Sequence, residues 1–152
     1  MANRRQLSAI MFADIEGYTA LMQEDEVKAG IFRDKLYKTL LNECTQFKGR
    51  IVQWTGDGAL CIFNSASEAV RAATAIQRQM NTDPIIPLRI GIHSGDIVLE
   101  ENNIYGDGVN IASRIESFAV AGGIFVSGRV YDDIKNQKDI EAVSLGFFEL
   151  KK

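Results

Sequence analysis

The order of apolar and polar positions predicts a chain that alternates short strands with longer helices. Residues 7–13 form a short apolar run typical of a buried central strand, and this strand is expected to end at Asp14. Over residues 26–47 apolar side chains recur every three or four positions, which predicts a long amphipathic helix that Gly49 ends. Its apolar face is predicted to comprise Val27, Ile31, Phe32, Leu36, Leu40, Leu41, Cys44 and Phe47.

Turn and capping signals divide the middle of the chain. Residues 50–54 and 59–63 have the pattern of strands, and the Asp57-Gly58 pair between them is a strong hairpin signal. Ser65 and Glu68 form a capping box, which predicts that a helix begins there. Two prolines then interrupt the chain before the next strand. The residues predicted to line the helix are Ala69, Val70, Ala73, Ile76 and Met80, and the prolines are Pro84 and Pro87.

The second half of the chain continues the alternation. Apolar residues at every second position predict a half-buried strand over residues 88–99, and a polar turn follows at residues 100–103. The remaining segments are predicted as a helix over residues 109–118, a strand over 123–127, a helix over 129–135 and strand material over 141–150. The whole pattern predicts an α+β sandwich in which helices cover a mainly antiparallel sheet.

Composition is that of one globular domain. The chain has 152 residues, of which 46% are hydrophobic and 24% charged, so it can form one normal core. Its net charge of −3 excludes a strongly basic surface for nucleic acid or an anionic membrane. No apolar run is long enough for a transmembrane helix, and the first one lacks a signal-peptide cleavage pattern. Cys44 and Cys61 lack metal-ligand spacing, so buried free thiols in a reducing, cytoplasmic setting are expected.

Two carboxylates are predicted at ends of strands. Asp14 follows the first strand and precedes a glycine-containing turn, where Gly17, Tyr18 and Thr19 can aim backbone N–H groups at phosphate. Asp57 lies in the hairpin turn. Each has a purely structural alternative, since Asp14 could cap the next helix and Asp57 could simply favour the turn. As a pair, however, they are hard oxygen ligands suited to Mg²⁺ or Mn²⁺ that also binds substrate phosphates.

Polar side chains also recur in the second half of the chain. Asn110 and Arg114 lie four residues apart in the predicted helix, so both project from one face and can bind an anion together. An ordinary exposed helix face is the alternative. Lys151 follows the last strand-like residues, where a solvated charge at the sheet edge is the commoner explanation.

Three of these segments, in this order, resemble the class III adenylyl/guanylyl cyclase catalytic domain. They read FADIEGYT, WTGDGAL and GDGVNIASR, and the resemblance spans essentially the whole chain. It implies one nucleotidyl cyclase catalytic domain over residues 1–152, with a ferredoxin-like, palm-type βαββαβ core and a C-terminal extension. Relatives usually continue past Lys151 into a further strand, so a domain excised from a longer protein is one interpretation.

The resemblance implies a role for each motif. Asp14, Asp57 and the backbone carbonyl of Ile15 would hold two Mg²⁺ or Mn²⁺ ions in each active site. Asn110 and Arg114 would orient the ribose and stabilise the α-phosphate. Relatives are homodimers with sites completed by both chains. The implied substrate is a nucleoside triphosphate, converted to its 3′,5′-cyclic monophosphate and pyrophosphate.

By the same resemblance, Lys151 matches the lysine that binds the β- and γ-phosphates. The chain departs from the family pattern at the two residues that contact the base. Gln53 stands where adenylyl cyclases usually have lysine, and Asn103 stands where they have Asp or Thr. An amide can present a donor or an acceptor, so base selection is expected to be looser. ATP is favoured and GTP is second, while two ordinary surface amides remain the alternative.

Two other function classes stay open at this point. A cyclase-like module without activity could use the same dimer for signalling, but such modules usually lose a metal aspartate or the arginine, and this chain keeps them. A palm-type diguanylate cyclase would show a GG[DE]EF hairpin, which TGDGA is not. His93, the only histidine, has no metal-ligand spacing, so a structural or solvent-facing role is expected for it.

Overall fold

The computed structural model describes residues 4–101 and 103–146, with the side chain of Arg4 excepted. Within these residues the chain forms a sheet of six strands covered by helices, which confirms the α+β class and the βαββαβ core. The elements are β1 (Arg4–Ile15), α1 (Tyr18–Glu24), α2 (Glu26–Gln46), β2 (Arg50–Trp54), β3 (Gly58–Phe63), α3 (Ala66–Met80), β4 (Leu88–Glu100), β5 (Asn103–Tyr105), α4 (Asp107–Phe118), β6 (Ile124–Val126) and α5 (Gly128–Ile134).

The sheet is mainly antiparallel, as predicted. Its strand order is β2-β3-β1-β4-β5, and β6 pairs with β4 in the parallel sense. The predicted central position of β1 is confirmed, because β3 and β4 flank it. β1 extends beyond the predicted run at both ends because β4 pairs with its whole length, from Arg4 opposite Leu99 to Ile15 opposite Leu88.

Alternation along the strands divides the apolar residues between two faces. The larger core lies between the sheet and helices α2 and α3, and Met11 and Ile92 are among its fully buried residues. A smaller cluster on the other face contains Ile10, Leu60 and Ala112 of α4. Among the described residues, the sheet therefore has helices α2 and α3 on one face and only α4 on the other.

The bounds of α2 match the prediction, but its apolar face is narrower than predicted. Phe32, Leu36, Leu40 and Cys44 recur every four residues and are buried against the sheet. Val27, Ile31 and Leu41 were expected on the same face, and that expectation is wrong: they are 74%, 53% and 56% exposed. A helix lying on a sheet buries a single stripe, and these three side chains lie outside it.

Three further differences concern short segments. The helix α1 and the strand β5 were not predicted, because each is short and β5 forms only by pairing with the end of β4. Strand material was predicted over residues 141–150, and this is wrong for residues 141–146, which are exposed and have no regular secondary structure. Among the described residues no neighbouring strand pairs with them, so their apolar positions have no sheet to pack on. The other residues of that prediction lie outside the described part.

The capping and cysteine predictions are confirmed. Ser65 Oγ accepts a hydrogen bond from the backbone N–H of Glu68 at 3.1 Å and caps α3. Cys44 and Cys61 are buried and free, with their Sγ atoms 3.5 Å apart. This contact joins α2 to β3 inside the larger core.

A glycine sets how closely α4 approaches the sheet. A Cβ on Gly91 of β4 would lie 2.3 Å from the backbone nitrogen of Glu116 and 2.6 Å from its Cα. These are backbone atoms of α4, so an added methyl group must push the helix away. The close contact of α4 with β4 therefore depends on the absence of a side chain at Gly91.

We expect Gly91→Ala to lower the free energy of unfolding by about 2 kcal/mol, the middle of the range for overpacking a dense core. Urea denaturation monitored by circular dichroism measures it. Gly128→Ala is the matched control, because a Cβ on Gly128 meets nothing within 4 Å. If the two variants had the same urea midpoint and the same dependence of the free energy of unfolding on urea, the close packing of α4 on β4 would be contradicted.

Candidate active site

The fold brings the two predicted metal-binding aspartates to one end of neighbouring strands. The backbone N–H of Ile15 donates a hydrogen bond to the backbone carbonyl of Asp57 at 2.9 Å. Asp14 lies opposite Gly58 in the β1–β3 pairing, one residue from Asp57. The turn is closed by a hydrogen bond from the Thr55 N–H to the Gly58 carbonyl at 2.9 Å. Asp14, Ile15 and Asp57 therefore lie next to one another at one end of β1 and β3.

The structure excludes the structural alternative for Asp14. Asp14 does not cap the next helix, because the N-cap of α1 is Gly17 in the left-handed region, with φ of 73°, and no side chain caps it. Asp57 lies in the predicted turn, and within residues 4–101 and 103–146 its side chain accepts one long hydrogen bond, from Thr55 Oγ1 at 3.4 Å. Both carboxylates are partly accessible rather than sequestered in the core. The Asp57 carboxylate is therefore accessible to a cation.

An arginine that sequence reasoning did not select holds one of these carboxylates. Nε and Nη2 of Arg89 donate to the two carboxylate oxygens of Asp14, both at 3.0 Å. This bidentate pair fixes the direction of the Asp14 side chain. Arg89 lies directly opposite Asp14 in the β1–β4 register.

Glu116 of α4 is the third member of this cluster. One of its carboxylate oxygens lies 3.7 Å from Nη2 of Arg89, and the residue is only 7% exposed. Burial, together with hydrogen bonding to Asp14 and the charge of Asp14, raises the pKa of Glu116 to about 8. Arg89 lowers it by less than these effects raise it. Behind the Asp14 carboxylate the cluster thus places one further acid, Glu116, and one guanidinium, Arg89.

Helix α2 supports the turn that carries Asp57. The hydroxyl of Tyr37 donates to the backbone carbonyl of Thr55, and its ring lies 4.4 Å from the ring of Trp54 between centroids. Burial is the main reason that the pKa of Tyr37 is raised, with Asp57 contributing in the same direction. The turn is therefore anchored from both β1 and α2.

Three residues after Asp14, Gly17, Tyr18 and Thr19, were predicted to bind phosphate, and one of them has a buried side chain. Gly17 and Thr19 are exposed, whereas the ring of Tyr18 is packed in the larger core and its hydroxyl has no hydrogen-bond partner among the described residues. Tyr18 can face a nucleotide only through its backbone. The N–H groups of the first turn of α1 have no acceptor within the helix.

The two candidates on α4 are separate from the aspartate cluster in a single chain. Asn110 is exposed and Arg114 partly exposed, and neither side chain forms a hydrogen bond or ion pair with any residue of 4–101 or 103–146. Arg89, not Arg114, is the cation paired with Asp14. An unpaired guanidinium and an unpaired amide on one helix are free to bind an anionic ligand.

The two candidate base-reading residues lie on the two edge strands of the sheet. Gln53 is exposed on β2, and Asn103 is exposed on β5. These strands are at opposite ends of the sheet order, yet they contact each other, because the sheet curls. Lys151 lies outside the described residues.

A sequence profile of the adenylate and guanylate cyclase catalytic domain family matches residues 1–152. The chain belongs to this family. The structure supports the assignment: a class III cyclase, the adenylate/guanylate cyclase/hydrolase from Silicibacter pomeroyi, superposes with a TM-score of 0.87 at 38% identity, covering 99% of this chain and 92% of that one. The guanylate cyclase domain of RhGC from Catenaria anguillulae, in complex with GTP, superposes with a TM-score of 0.77 at 27% identity over 88% of this chain and 86% of that one.

A longer relative also matches this cyclase domain. The putative adenylate cyclase 3 of Rhizobium meliloti (strain 1021) is 38% identical over 97% of the chain, which spans 27% of that relative's length. The domain thus corresponds to about a quarter of that protein. Across residues 4–101 and 103–146, no helix combines the length and the apolar character needed to cross a bilayer.

The family generally uses divalent metal ions, and the chemistry of the aspartates in this chain fits them. Asp14, Asp57 and the carbonyl of Ile15 are hard oxygen donors, which Mg²⁺ and Mn²⁺ prefer. In the part of the chain that the structure describes, no group of three or more His, Cys, Asp or Glu side chains is placed to hold a metal on its own. Two carboxylates that leave positions for substrate phosphates suit a catalytic ion better than a structural one.

The remaining unusual side chain is His93, which connects two elements. Its Nδ1 lies 2.8 Å from Oγ of Ser127, and that oxygen accepts a hydrogen bond from the N–H of Val130 at 3.3 Å. Burial, with a smaller contribution from Arg129, lowers the pKa of His93. The contact joins β4 to the start of α5, which agrees with the structural role expected for this histidine.

The sequence contains a signal for Arg89 but none for Glu116. Arg89 interrupts the apolar residues of β4 at the strand end that meets Asp14, but only the strand register reveals the pairing. Glu116 follows Arg114 by two residues in α4 and has the appearance of an ordinary exposed acid in the sequence. Its burial depends on Gly91 of the facing strand, which lets α4 approach.

Proposed function

We propose that this domain cyclises a nucleoside triphosphate, ATP by preference, to the 3′,5′-cyclic monophosphate and pyrophosphate, in a two-metal site shared between two copies of the chain. The hydrogen bond from Ile15 to Asp57 carries the proposal, because it unites the two aspartates at one end of the sheet. The assignments of Asn110, Arg114, Gln53, Asn103 and Lys151 follow the family motifs they match.

Two Mg²⁺ or Mn²⁺ ions would be held by Asp14, Asp57 and the carbonyl of Ile15. When bound, they acidify the ribose 3′-hydroxyl and neutralise charge on the phosphates. Arg89 holds the Asp14 carboxylate in one direction, so part of the ligand geometry exists before an ion arrives. The backbone N–H groups near Gly17 and Thr19 add donors for phosphate oxygens next to this cluster.

The chain's other contribution is to position the substrate and stabilise charge. Arg114 would meet the negative charge that develops on the α-phosphate, and Asn110 would orient the ribose. Lys151 would bind the β- and γ-phosphates and thereby the leaving pyrophosphate. No catalytic histidine is required, because in-line displacement at phosphorus depends mainly on positioning and electrostatics.

In a single chain the predicted metal-binding aspartates are separate from Asn110 and Arg114, and this separation supports a site shared between two chains. In one chain Asp14 is paired with Arg89, whereas Arg114 and Asn110 make no hydrogen bond or ion pair within the described residues. A two-fold dimer can place α4 of one copy over the aspartates of the other, and it then forms two equivalent sites. Each site would take its metals from one chain and its arginine from the other.

ATP is proposed as the preferred substrate because the longer relative from Rhizobium meliloti is named a putative adenylate cyclase. GTP is the second candidate, since the similar domain from Catenaria anguillulae was solved with GTP. The amide of Gln53 does not impose the fixed donor sense of a lysine.

The test is to incubate the purified protein with Mn²⁺ and each of ATP, GTP, CTP and UTP, and to identify the product by mass spectrometry. A 3′,5′-cyclic nucleotide is the expected product, with the highest yield from ATP. A 3′-deoxynucleoside triphosphate is the control, because it lacks the attacking hydroxyl. A protein that binds nucleotide and yields no cyclic product with any of the four would contradict the proposal and favour a signalling module without activity.

A further inference from the structure

The side chain of Asn103 has a fixed orientation in the structure. Its Oδ1 accepts a hydrogen bond from the backbone N–H of Ile104 at 3.1 Å, and its Nδ2 donates to the hydroxyl of Tyr105 at 2.9 Å. A backbone N–H can only donate, so the amide atom that faces it must be the oxygen. The Ile104 N–H therefore assigns both ends of the amide, because rotating the amide by 180° would turn the Nδ2 donor towards that N–H and lose this hydrogen bond.

This orientation leaves a specific set of free donors and acceptors. The Tyr105 hydroxyl uses one lone pair to accept from Asn103, which leaves its own O–H to donate and a second lone pair to accept. The described residues supply no other hydrogen-bond partner for this hydroxyl, and Tyr105 is 46% exposed. Asn103 retains one further N–H on Nδ2. The hydroxyl is thus the group of this pair that can act in either sense.

The position of Tyr105 places this hydroxyl beside the proposed base site. Asn103 and Tyr105 are two residues apart on β5, so their side chains lie on the same side of the strand, while Ile104 between them is buried in the smaller cluster. The edge strand β2, which carries Gln53, contacts β5. A purine that reaches the Asn103 amide is within reach of the hydroxyl hydrogen-bonded to it.

Resting on the proposed function, we propose that Tyr105 is a specificity-determining residue whose hydroxyl, oriented by Asn103, contacts position 6 of the purine and lets the site accept both adenine and guanine. With adenine, the free lone pair of the hydroxyl accepts from the N6 amino group. With guanine, the O–H donates to O6. Only the hydroxyl hydrogen has to rotate between the two complexes.

Two substitutions should change base preference in opposite directions. Tyr105→Phe removes the acceptor and leaves the Asn103 amide with two free N–H donors, which match guanine O6 and oppose the adenine N6 amino group. Asn103→Asp makes the Tyr105 hydroxyl donate to the new carboxylate, so only acceptors remain for the base. That arrangement matches adenine and opposes guanine O6.

The experiment measures kcat/KM for ATP and GTP with Mn²⁺ for the wild type and both variants. We expect the ATP/GTP ratio to fall about tenfold in Tyr105→Phe and to rise about tenfold in Asn103→Asp, the size expected for one mismatched buried hydrogen bond. Tyr131→Phe is the matched control, because Tyr131 is an exposed tyrosine on α5 and its ratio should not move. The melting temperature shows that each variant is folded.

Binding of 3′-deoxy-ATP and 3′-deoxy-GTP, measured by isothermal titration calorimetry, gives the same ratio without catalysis. Opposite shifts in the two variants support the proposal. An ATP/GTP ratio that stays within about twofold in Tyr105→Phe, or equal losses for both nucleotides, would overturn it while leaving the cyclase function intact. A wild type that binds neither analogue would instead overturn the proposed function and the role of Tyr105 together.

Discussion

Replacing Asp57 with alanine is expected to lower kcat/KM at least about a hundredfold, because the loss of a metal ligand raises the barrier by several kcal/mol. The fold should survive this change. Asp57 lies in a turn held by backbone hydrogen bonds to Ile15 and within the turn itself. In the part of the chain that the structure describes, its side chain forms one hydrogen bond, the 3.4 Å contact with Thr55 Oγ1. A large loss of activity with an unchanged melting temperature is therefore the expected result.

The control for this variant is Asp133→Ala, which removes an exposed carboxylate from α5 and should leave kcat/KM unchanged. Asp57→Asn provides a second comparison, since the amide keeps an oxygen ligand but loses the charge that attracts the ion. Mn²⁺ binding in the presence of 3′-deoxy-ATP, followed by electron paramagnetic resonance, reports the metal directly. If Asp57→Ala kept more than a few per cent of the activity and bound Mn²⁺ normally, Asp57 would not be a metal ligand.

Elements that depend on local sequence were the ones predicted well. The hairpin between β2 and β3, the cap at Ser65 and the long helix α2 each have their signal within a few residues, and their positions agree with the structure. The apolar face of α2 was predicted too broadly because spacing alone cannot tell which of two adjoining stripes meets the sheet. Val27 and Ile31 satisfy the periodicity and are nevertheless exposed.

The residues of the candidate site also differ in how far the sequence alone predicts their contacts. The proximity of Asp14 and Asp57 follows from two strand ends in one sheet, so sequence reasoning could propose it, and the structure brings them together. The Arg89 pair and the buried Glu116 depend on strand register and on the approach of α4, which are properties of the folded chain. No pattern in one sequence specifies that Asp14 and Arg89 are opposite each other.

The hydrogen bond between Asn103 and Tyr105 likewise cannot be predicted from the sequence, although the two residues are only two positions apart. Two residues at alternate positions of a strand are expected on one side, but their hydrogen bond depends on the turn that starts β5 and on the backbone N–H of Ile104. A base-reading amide can therefore be located by motif, while the sense in which it presents its donor and acceptor is a structural property.

A mixed dimer that carries Asp57→Ala in one chain and Arg114→Ala in the other is expected to recover activity that neither homodimer has. In a shared site the metals come from one chain and Arg114 from its partner, so each homodimer has two defective sites. The heterodimer collects both substitutions in one site and leaves the other site intact. The purified heterodimer should therefore turn over at about half the wild-type rate if the two sites act independently.

The two variants should be co-expressed with different tags, and the doubly tagged species purified, because the measurement requires one chain of each kind. Random exchange of equal amounts makes about half of the dimers mixed, so an unpurified mixture should reach about a quarter of the wild-type activity per subunit. Sedimentation confirms that the assayed species is a dimer. The control is a heterodimer with both substitutions in one chain and none in the other, which retains no intact site if the sites are shared and one intact site if each chain forms its own. If the mixed dimer of single variants were inactive while the dimer with both substitutions in one chain kept about half the wild-type rate, Asp57 and Arg114 would act within one chain.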